Sequence, residues 1–507
     1  MAWFICTFEP EHAVEHHYFK EIHFTGNNKL IMKKIWLSIL GALLLLVLFI
    51  LIKTLTFKSD RSEVSKVTPV EVGDEALYRL QKAIQYKTIS YSYPGKPDST
   101  EFTGFHQYLA MAFPLIDSFL EKKVIRYSLL YKWEGSDPSL KPVALMSHMD
   151  VVPVDEGTLA DWEAPPFSGE IKNGMIYGRG TMDDKVSLMA IMEAVEMLLQ
   201  SGYQPARTIY LAFGHDEEIG GEQGAGAMAG YLESQGVRLD CVIDEGGLVM
   251  GGLVPGSDRS FAMINVAEKG YVSFELAITT EGGHSSMPAS DNTIGSLANA
   301  ITKLEANQFP YKNTPLLREQ MAKMGPYYPF VQKMAFANSW LFGKQILKVL
   351  NAHTTTAPTI FNGGVKDNII PTSASAVVNF RVMTGETTEE VLQHIINTVD
   401  DDRITVKSVA NRNEPSPVSD YNSASYKTIE KTVQQLWPEM AVTPGLISGG
   451  TDTKHYQPIA DNAYRFFPIR VTLSSITGFH GINEHLATEN FKEIIQFYHL
   501  LIRNMNE

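Results

Sequence analysis

Short apolar runs alternate along the chain with stretches of helical spacing, and several runs stop at a histidine or an acid. Residues 208–213, apolar and partly β-branched, read as a buried strand; Gly214 ends it, and Asp216, Glu217 and Glu218 follow. Residues 142–146 form a second such run that delivers His148 and Asp150, and 241–243 a third, closed by Asp244. Residues 75–86 and 185–200 carry apolar positions three and four apart, the spacing of a helix with a buried face, and 105–123 contains another helix. Strands alternating with helices predict an α/β fold: a catalytic domain with a mostly parallel sheet flanked by helices. In open sheets of that kind the chemistry gathers just beyond the carboxyl ends of the strands.

Near Glu268 the pattern changes. Residues 271–279 alternate like a half-exposed strand, 355–361 and 373–382 read as further strands, and 292–305 and 387–399 as helices. This content predicts a smaller α+β sandwich with helices on one face of an antiparallel sheet. Residues 308–342, rich in Pro, Tyr and Phe, read as an insertion within it. From Asn413 the α/β pattern resumes, with a helix at 426–437, a strand at 463–467 and a last helix at 488–504. The expected division is therefore a catalytic domain built from 73–267 and 413–507, interrupted by a second domain at 268–412.

The amino-terminal part differs from both. Residues 35–52 are uncharged and almost wholly apolar, with Lys33 and Lys34 before them and Lys53 after. About 20 apolar residues span a bilayer, and no small-residue cleavage pattern follows, so 33–57 is expected to be a transmembrane signal anchor. Lysines on both flanks leave its orientation open by charge. Residues 1–31 are expected to be a disordered or untranslated extension, since Met32-Lys33-Lys34 reads as a start, and 58–72 a polar linker. The net charge of −14 argues against nucleic acid as a partner of the globular part. Two cysteines, Cys6 and Cys241, give no disulfide framework, so any metal here must use His, Asp and Glu.

Those residue types stand where strands end. His148-Met149-Asp150, Glu217-Glu218 and Asp244 follow three of them; Asp183-Asp184 opens the helix at 185–200, and His480 lies in a loop near the carboxyl end. Imidazole and carboxylate are the ligands that suit Zn²⁺ without cysteine. A pair of metals needs a carboxylate able to bridge them. Each motif alone is weak, since HxD pairs and acidic loops occur by chance; five of them at strand ends are not.

The stretches SHMDVVPV, WEAPPFSG, GRGTMDDK, GHDEEIGG, VIDEGG, GGHSSMP, VKDNIIPTSASAVVNFRV, GGTDTKHY and GFHGINE resemble the zinc metallopeptidase family of carboxypeptidase S, aminoacylase and succinyl-diaminopimelate desuccinylase. The likeness is greatest to its Gly-X carboxypeptidase and N-fatty-acyl-amino acid synthase/hydrolase branch. It implies two zinc ions per subunit, for which cobalt or manganese could substitute. His148 and Asp244 would ligate one and Glu218 and His480 the other, with Asp183 bridging and a cis peptide after it. Glu217 would be the general base, Asp150 would orient His148, and His284 would stabilise the oxyanion. Asn368 and Arg381 would hold the substrate carboxylate, with Gly450 and Thr451 touching substrate. The second domain would serve as a lid or dimerisation domain, leaving the chain a monomer or homodimer, with the catalytic part outside the cytoplasm. The implied reaction is cleavage of the amide bond before a carboxyl-terminal amino acid in small peptides or N-acyl amino acids. A dipeptidase, a biosynthetic deacylase and a catalytically inactive membrane-anchored binding protein stay open as alternatives.

Overall fold

The strand Ile209–Gly214 buries all six of its residues inside a ten-stranded sheet, third from one edge. It pairs in parallel with Val143–His148, which pairs in parallel with Leu239–Asp244, which in turn pairs in parallel with Ala460–Arg465. Val143–His148 and Ile209–Gly214 are buried on both faces, which is why they read as continuous rather than alternating. The computed structural model describes residues 26–59, 64–91, 98–252, 259–288, 292–409, 412–472 and 475–506. The chain divides into two units, Met1–Thr56 and Phe57–Glu507.

In the first unit, Gly26–Thr56 is one helix. Its segment Leu30–Thr56 has a mean hydropathy of 3.1 and is long and apolar enough to cross a membrane. The helix starts at Gly26, before the expected 33–57; residues 1–25 lie outside the described residues.

In the second unit the large sheet is mixed rather than mostly parallel. The hairpin Glu121–Ile125 and Ser128–Trp133 adds an antiparallel edge to Ile209–Gly214. On the other side Phe261–Glu268 pairs antiparallel with Leu248–Met250 and in parallel with Ala441–Ile447. The first edge strand, EKKVI, is polar and largely exposed, so its sequence carries no buried-strand signal, and the helix expected within 105–123 ends at Phe119. The helix Lys185–Gln200 is buried along nearly its whole length and packs against the last helix, Thr488–Asn504.

The strands Thr355–Gly363, Ser373–Val382, Gly270–Thr279 and Ile404–Ser408 form a separate antiparallel sheet in that order. Ser373–Val382 alternates buried and open positions, as a sheet with one covered face requires. Phe274, Val378 and Phe380 meet Leu297, Val391 and Ile395, from the helices Thr293–Ala306 and Thr388–Val399, in a core of their own. Residues 308–342 supply helices, Pro315–Met324 and Phe330–Ala337, with Ser339–Val349 beyond them.

The helix Thr388–Val399 begins with a reciprocal cap: Thr387 accepts from the Glu390 amide while the Glu390 carboxylate accepts from the Thr387 amide. Replacing Thr387 by Ala should lower unfolding stability by about 1 kcal/mol in a denaturant titration, with Ser restoring it. Equal midpoints for Ala and Ser would remove the cap from the account.

Candidate functional site

His148 is the last residue of Val143–His148, and its side chain is 1% exposed. Its Nδ1 lies 3.0 Å from the Asp150 carbonyl oxygen and 3.3 Å from Asp150 Oδ1. With acceptors on that side, Nδ1 carries a proton, which leaves Nε2 as the atom available to a metal. Nε2 points at Asp183 Oδ1, 3.0 Å away. Asp183 stands in the turn before the helix Lys185–Gln200, and the peptide that follows it is cis. Its other oxygen, Oδ2, is 3.0 Å from His480 Nε2, which is also 3.2 Å from Glu218 Oε2.

Two donor groups result, each with its ligand atoms within 4.8 Å of one another: His148, Asp183 and Glu245, and Asp183, Glu218 and His480. Asp183 belongs to both. The His480 ring is 55% exposed against 1% for His148, so the site opens on the His480 side.

Asp150 does more than face His148. Its two carboxylate oxygens each accept, at 3.2 Å, from the backbone amides of Glu217 and Glu218. The strand end carrying His148 and the turn carrying both glutamates are thereby tied to one buried carboxylate. Glu217 and Glu218 lie in a 3-10 turn, Glu217–Ile219, so their side chains diverge by a turn's rotation rather than by strand alternation. Among the described residues Glu217 belongs to neither donor group.

The charge balance is unusual for a buried cluster. Burial pushes Glu217, Glu218 and Glu245 up from the ordinary carboxylate range, and neighbouring acids add to the effect. Burial raises Asp244 to about 6. Hydrogen bonds to Asp183 and Glu218 lift His480 to about 10. His148 is likewise raised, burial opposing but its bonds to Asp150 and Asp183 prevailing. Burial works against ionisation of Asp183, and the two imidazoles outweigh it and hold that carboxyl below its usual range. Buried oxygens Glu218 Oε1 and Asp244 Oδ2 have no hydrogen-bond partner. Clustered acids with orphaned oxygens, two imidazoles and no thiolate suit divalent cations with a preference for nitrogen and oxygen.

The structure brings His148, Asp150, Asp183, Glu217, Glu218 and His480 together. The first donor group contains Glu245, with Oε1 3.9 Å from His148 Nε2, and the expected Asp244 stands next to it in the chain. Asp244 closes the strand Leu239–Asp244 in register with Arg465 and is 2% exposed, whereas Glu245 follows the strand and has a longer reach. The acidic pair in VIDEGG does not say in the sequence which acid reaches the donor group.

The remaining expected residues lie outside the donor groups. His284 is exposed in the short strand Gly283–His284, its Nδ1 2.8 Å from Ser286 Oγ. Asn368 is exposed, and its carbonyl accepts from the Ser285 amide. Arg381 lies over the Tyr271 ring and donates to the Ser448 carbonyl at 3.1 Å, beside the exposed Gly450. Thr451 is 2% exposed and donates to Glu268 Oε1 at 2.7 Å, in a buried network with Thr453 and Arg465. Glu268, Arg465 and the buried pair Arg179–Glu484 were not singled out from the sequence, because a lone charged residue in a strand or loop does not announce a buried partner hundreds of positions away.

Residues 144–504 match the model of peptidase family M20/M25/M40. The chain is 39% identical to a probable carboxypeptidase S-like 2 of Dictyostelium discoideum over 92% of each chain. It is 38% identical to N-fatty-acyl-amino acid synthase/hydrolase PM20D1.1 of Danio rerio, over 92% of this chain and 95% of the relative. Carboxypeptidase S of Saccharomyces cerevisiae is 32% identical over 86% of this chain and 84% of its own length. The crystal structure of an M20 family metallo-carboxypeptidase from Sulfolobus solfataricus superposes with a TM-score of 0.65 at 21% identity, over 85% of this chain and 99% of that one, a likeness of fold. The chain belongs to peptidase family M20/M25/M40 and is a hydrolytic enzyme.

Proposed function

We propose that this enzyme is a dinuclear zinc amidohydrolase that cleaves the amide bond before a carboxyl-terminal amino acid, in a small peptide or an N-acyl amino acid. The observation that carries the reading is the Asp183 carboxylate, whose two oxygens belong to two different donor groups. His148, Asp183 and the Asp244–Glu245 pair would hold one ion, and Asp183, Glu218 and His480 the other. Bound zinc supplies a Lewis acid and lowers the pKa of a water to about 7. Glu217, which belongs to neither group, takes the proton from the attacking water at its carboxylate and returns it to the nitrogen of the leaving amine. Burial favours the protonated form of Glu217, which suits the second of those steps. Asp150 fixes the His148 ring through Nδ1 and the Glu217 turn through its amides.

Residues 268–412 are proposed to act as a lid or dimerisation domain. His284 would polarise the scissile carbonyl oxygen, and Asn368 and Arg381 would hold the free carboxylate of the substrate. The Arg381 fork matches a carboxylate, and its single bond to the Ser448 carbonyl is weak enough to exchange for one. Gly450, open and without a side chain, lets a substrate approach the backbone there. The names of the Danio rerio and Saccharomyces cerevisiae relatives favour N-fatty-acyl amino acids and peptides as substrates. The helix Leu30–Thr56 is proposed as a membrane anchor, with the catalytic unit outside the cytoplasm.

Glu217→Gln should keep both zinc ions and lose roughly 10²–10⁴-fold in kcat on an N-acyl amino acid. A variant with full metal and near-normal turnover would refute the base assignment. Asp183→Ala should release both ions at once by metal analysis, because its carboxylate is common to the two groups; loss of one ion alone would contradict the bridge.

Chelator-stripped protein should lose stability as pH rises from about 6.5 toward 10. The sign follows from His480, whose folded pKa of about 10 exceeds its unfolded value: its stabilising contribution is full below the unfolded pKa and disappears as pH climbs through the folded one. The raised glutamates act in the same direction from lower pH. Thermal unfolding across that range should show the fall in stripped protein and a much flatter profile with zinc added; a flat profile without metal would count against the cluster's charge state.

A further inference from the structure

We infer that Arg179 and Glu484 form a buried clamp that sets the spacing between Asp183 and His480, and so act as positioning residues for the metal centre; the inference rests on the dinuclear reading above. The two ligands come from parts of the chain about 300 residues apart, and Glu484 lies 301 positions from Asp183. The short strand His485–Ala487 pairs with Met175–Tyr177, and the Gly178 amide extends the ladder by donating to the Glu484 carbonyl at 2.9 Å. Beyond that point one segment runs to Asp183 and the other to His480, and side-chain hydrogen bonds join them.

Glu484 is 0% exposed. Its Oε1 accepts from the amides of Gly180, Met182 and Asp183 at 3.0, 2.7 and 3.2 Å. One oxygen thus gathers the turn that presents the Asp183 carboxylate. The other oxygen, Oε2, takes Arg179 Nη1 at 2.6 Å. The remaining arm of Arg179 turns back: Nη2 donates to the carbonyls of His480 and Gly481 at 3.3 and 3.0 Å. The path from the Asp183 amide through Glu484 and Arg179 to the His480 carbonyl is therefore continuous. The ion pair is fully enclosed, so neither charge has water as an alternative partner.

The His480 loop has need of such a tie. His480 and Asn483 adopt φ of 56° and 58°, a region L-residues populate sparsely. The His480 ring is 55% exposed, so packing does not orient it; its backbone position does. A planar fork that reaches a carboxylate and two carbonyls together is a property of Arg and not of Lys. Residues that support ligands in this way change metal affinity about 10–100-fold when altered.

The test uses the full chain with Glu484→Gln and Arg179→Lys. Zinc binding is followed by competition with a chromophoric chelator, and thermal unfolding is recorded on stripped protein. The expected result is a 10–100-fold weaker affinity for one zinc equivalent, the other changing less, whatever fall in melting temperature the stripped variants show on losing half of a buried ion pair. Two equivalents bound with parental affinity overturn the clamp. A lower melting temperature with the ratio of the two affinities unchanged also overturns it, because that is the signature of general support for the fold. If Glu484→Gln fails to fold, Arg179→Lys decides alone: it keeps a cation beside Glu484 and removes the fork to the loop, so parental zinc affinity in that variant is sufficient to reject the proposal. A parent chain that takes up no zinc overturns the dinuclear reading and the clamp with it, an outcome distinct from a parent that binds two ions and variants that bind them equally well.

Discussion

One carboxylate faced by two imidazoles organises this molecule. Asp183 presents Oδ1 to His148 and Oδ2 to His480, each at 3.0 Å, and the two histidines come from distant parts of the chain. The arrangement needs a strand end for His148, a turn for Asp183 and a loop for His480, all held to a fraction of an ångström. The parallel strands Val143–His148, Ile209–Gly214 and Leu239–Asp244 supply the first requirement by ending on one side of the sheet.

The same cluster is costly for the fold. Several acids share a space where burial disfavours their charge, and the imidazoles offset that only in part. A sequence selected for packing alone would place apolar residues there, as it does throughout the strand bodies behind the site. The concentration of unneutralised acid is the physical sign that the site is built for a cation. It also explains why the surrounding backbone amides are used as donors: Asp150 takes two from the Glu217 turn, Asp216 two from Gln223 and Gly224, and Glu484 three from the Asp183 turn. Each anion is met by dipoles that cost little to orient because the turns already point them inward.

The four-stranded sheet with its own core stands in a different relation to the chemistry. Its strand Ser373–Val382 alternates and its helices cover one face; Arg381 on that strand is half-exposed, and His284 and Asn368, outside the four strands, are exposed. Thr451, Glu268 and Arg465, by contrast, satisfy one another in the interior.

Much of this was legible in the residues themselves. The extents 185–200, 373–382 and 488–504 coincide with the elements formed, because long amphipathic helices and alternating strands carry their periodicity locally. The ligand types were visible because His, Asp and Glu at the ends of apolar runs conflict with the pattern around them. The edge strand Glu121–Ile125 was not visible, since its polar residues satisfy an exposed edge and carry no burial signal. Nor was the place of Glu245 in the first donor group, the burial of Thr451, or the pairing of Arg179 with Glu484. Those depend on which side chains converge when segments hundreds of residues apart are folded together. Local spacing specifies elements and donor chemistry; distances between donors exist only once the sheet has closed.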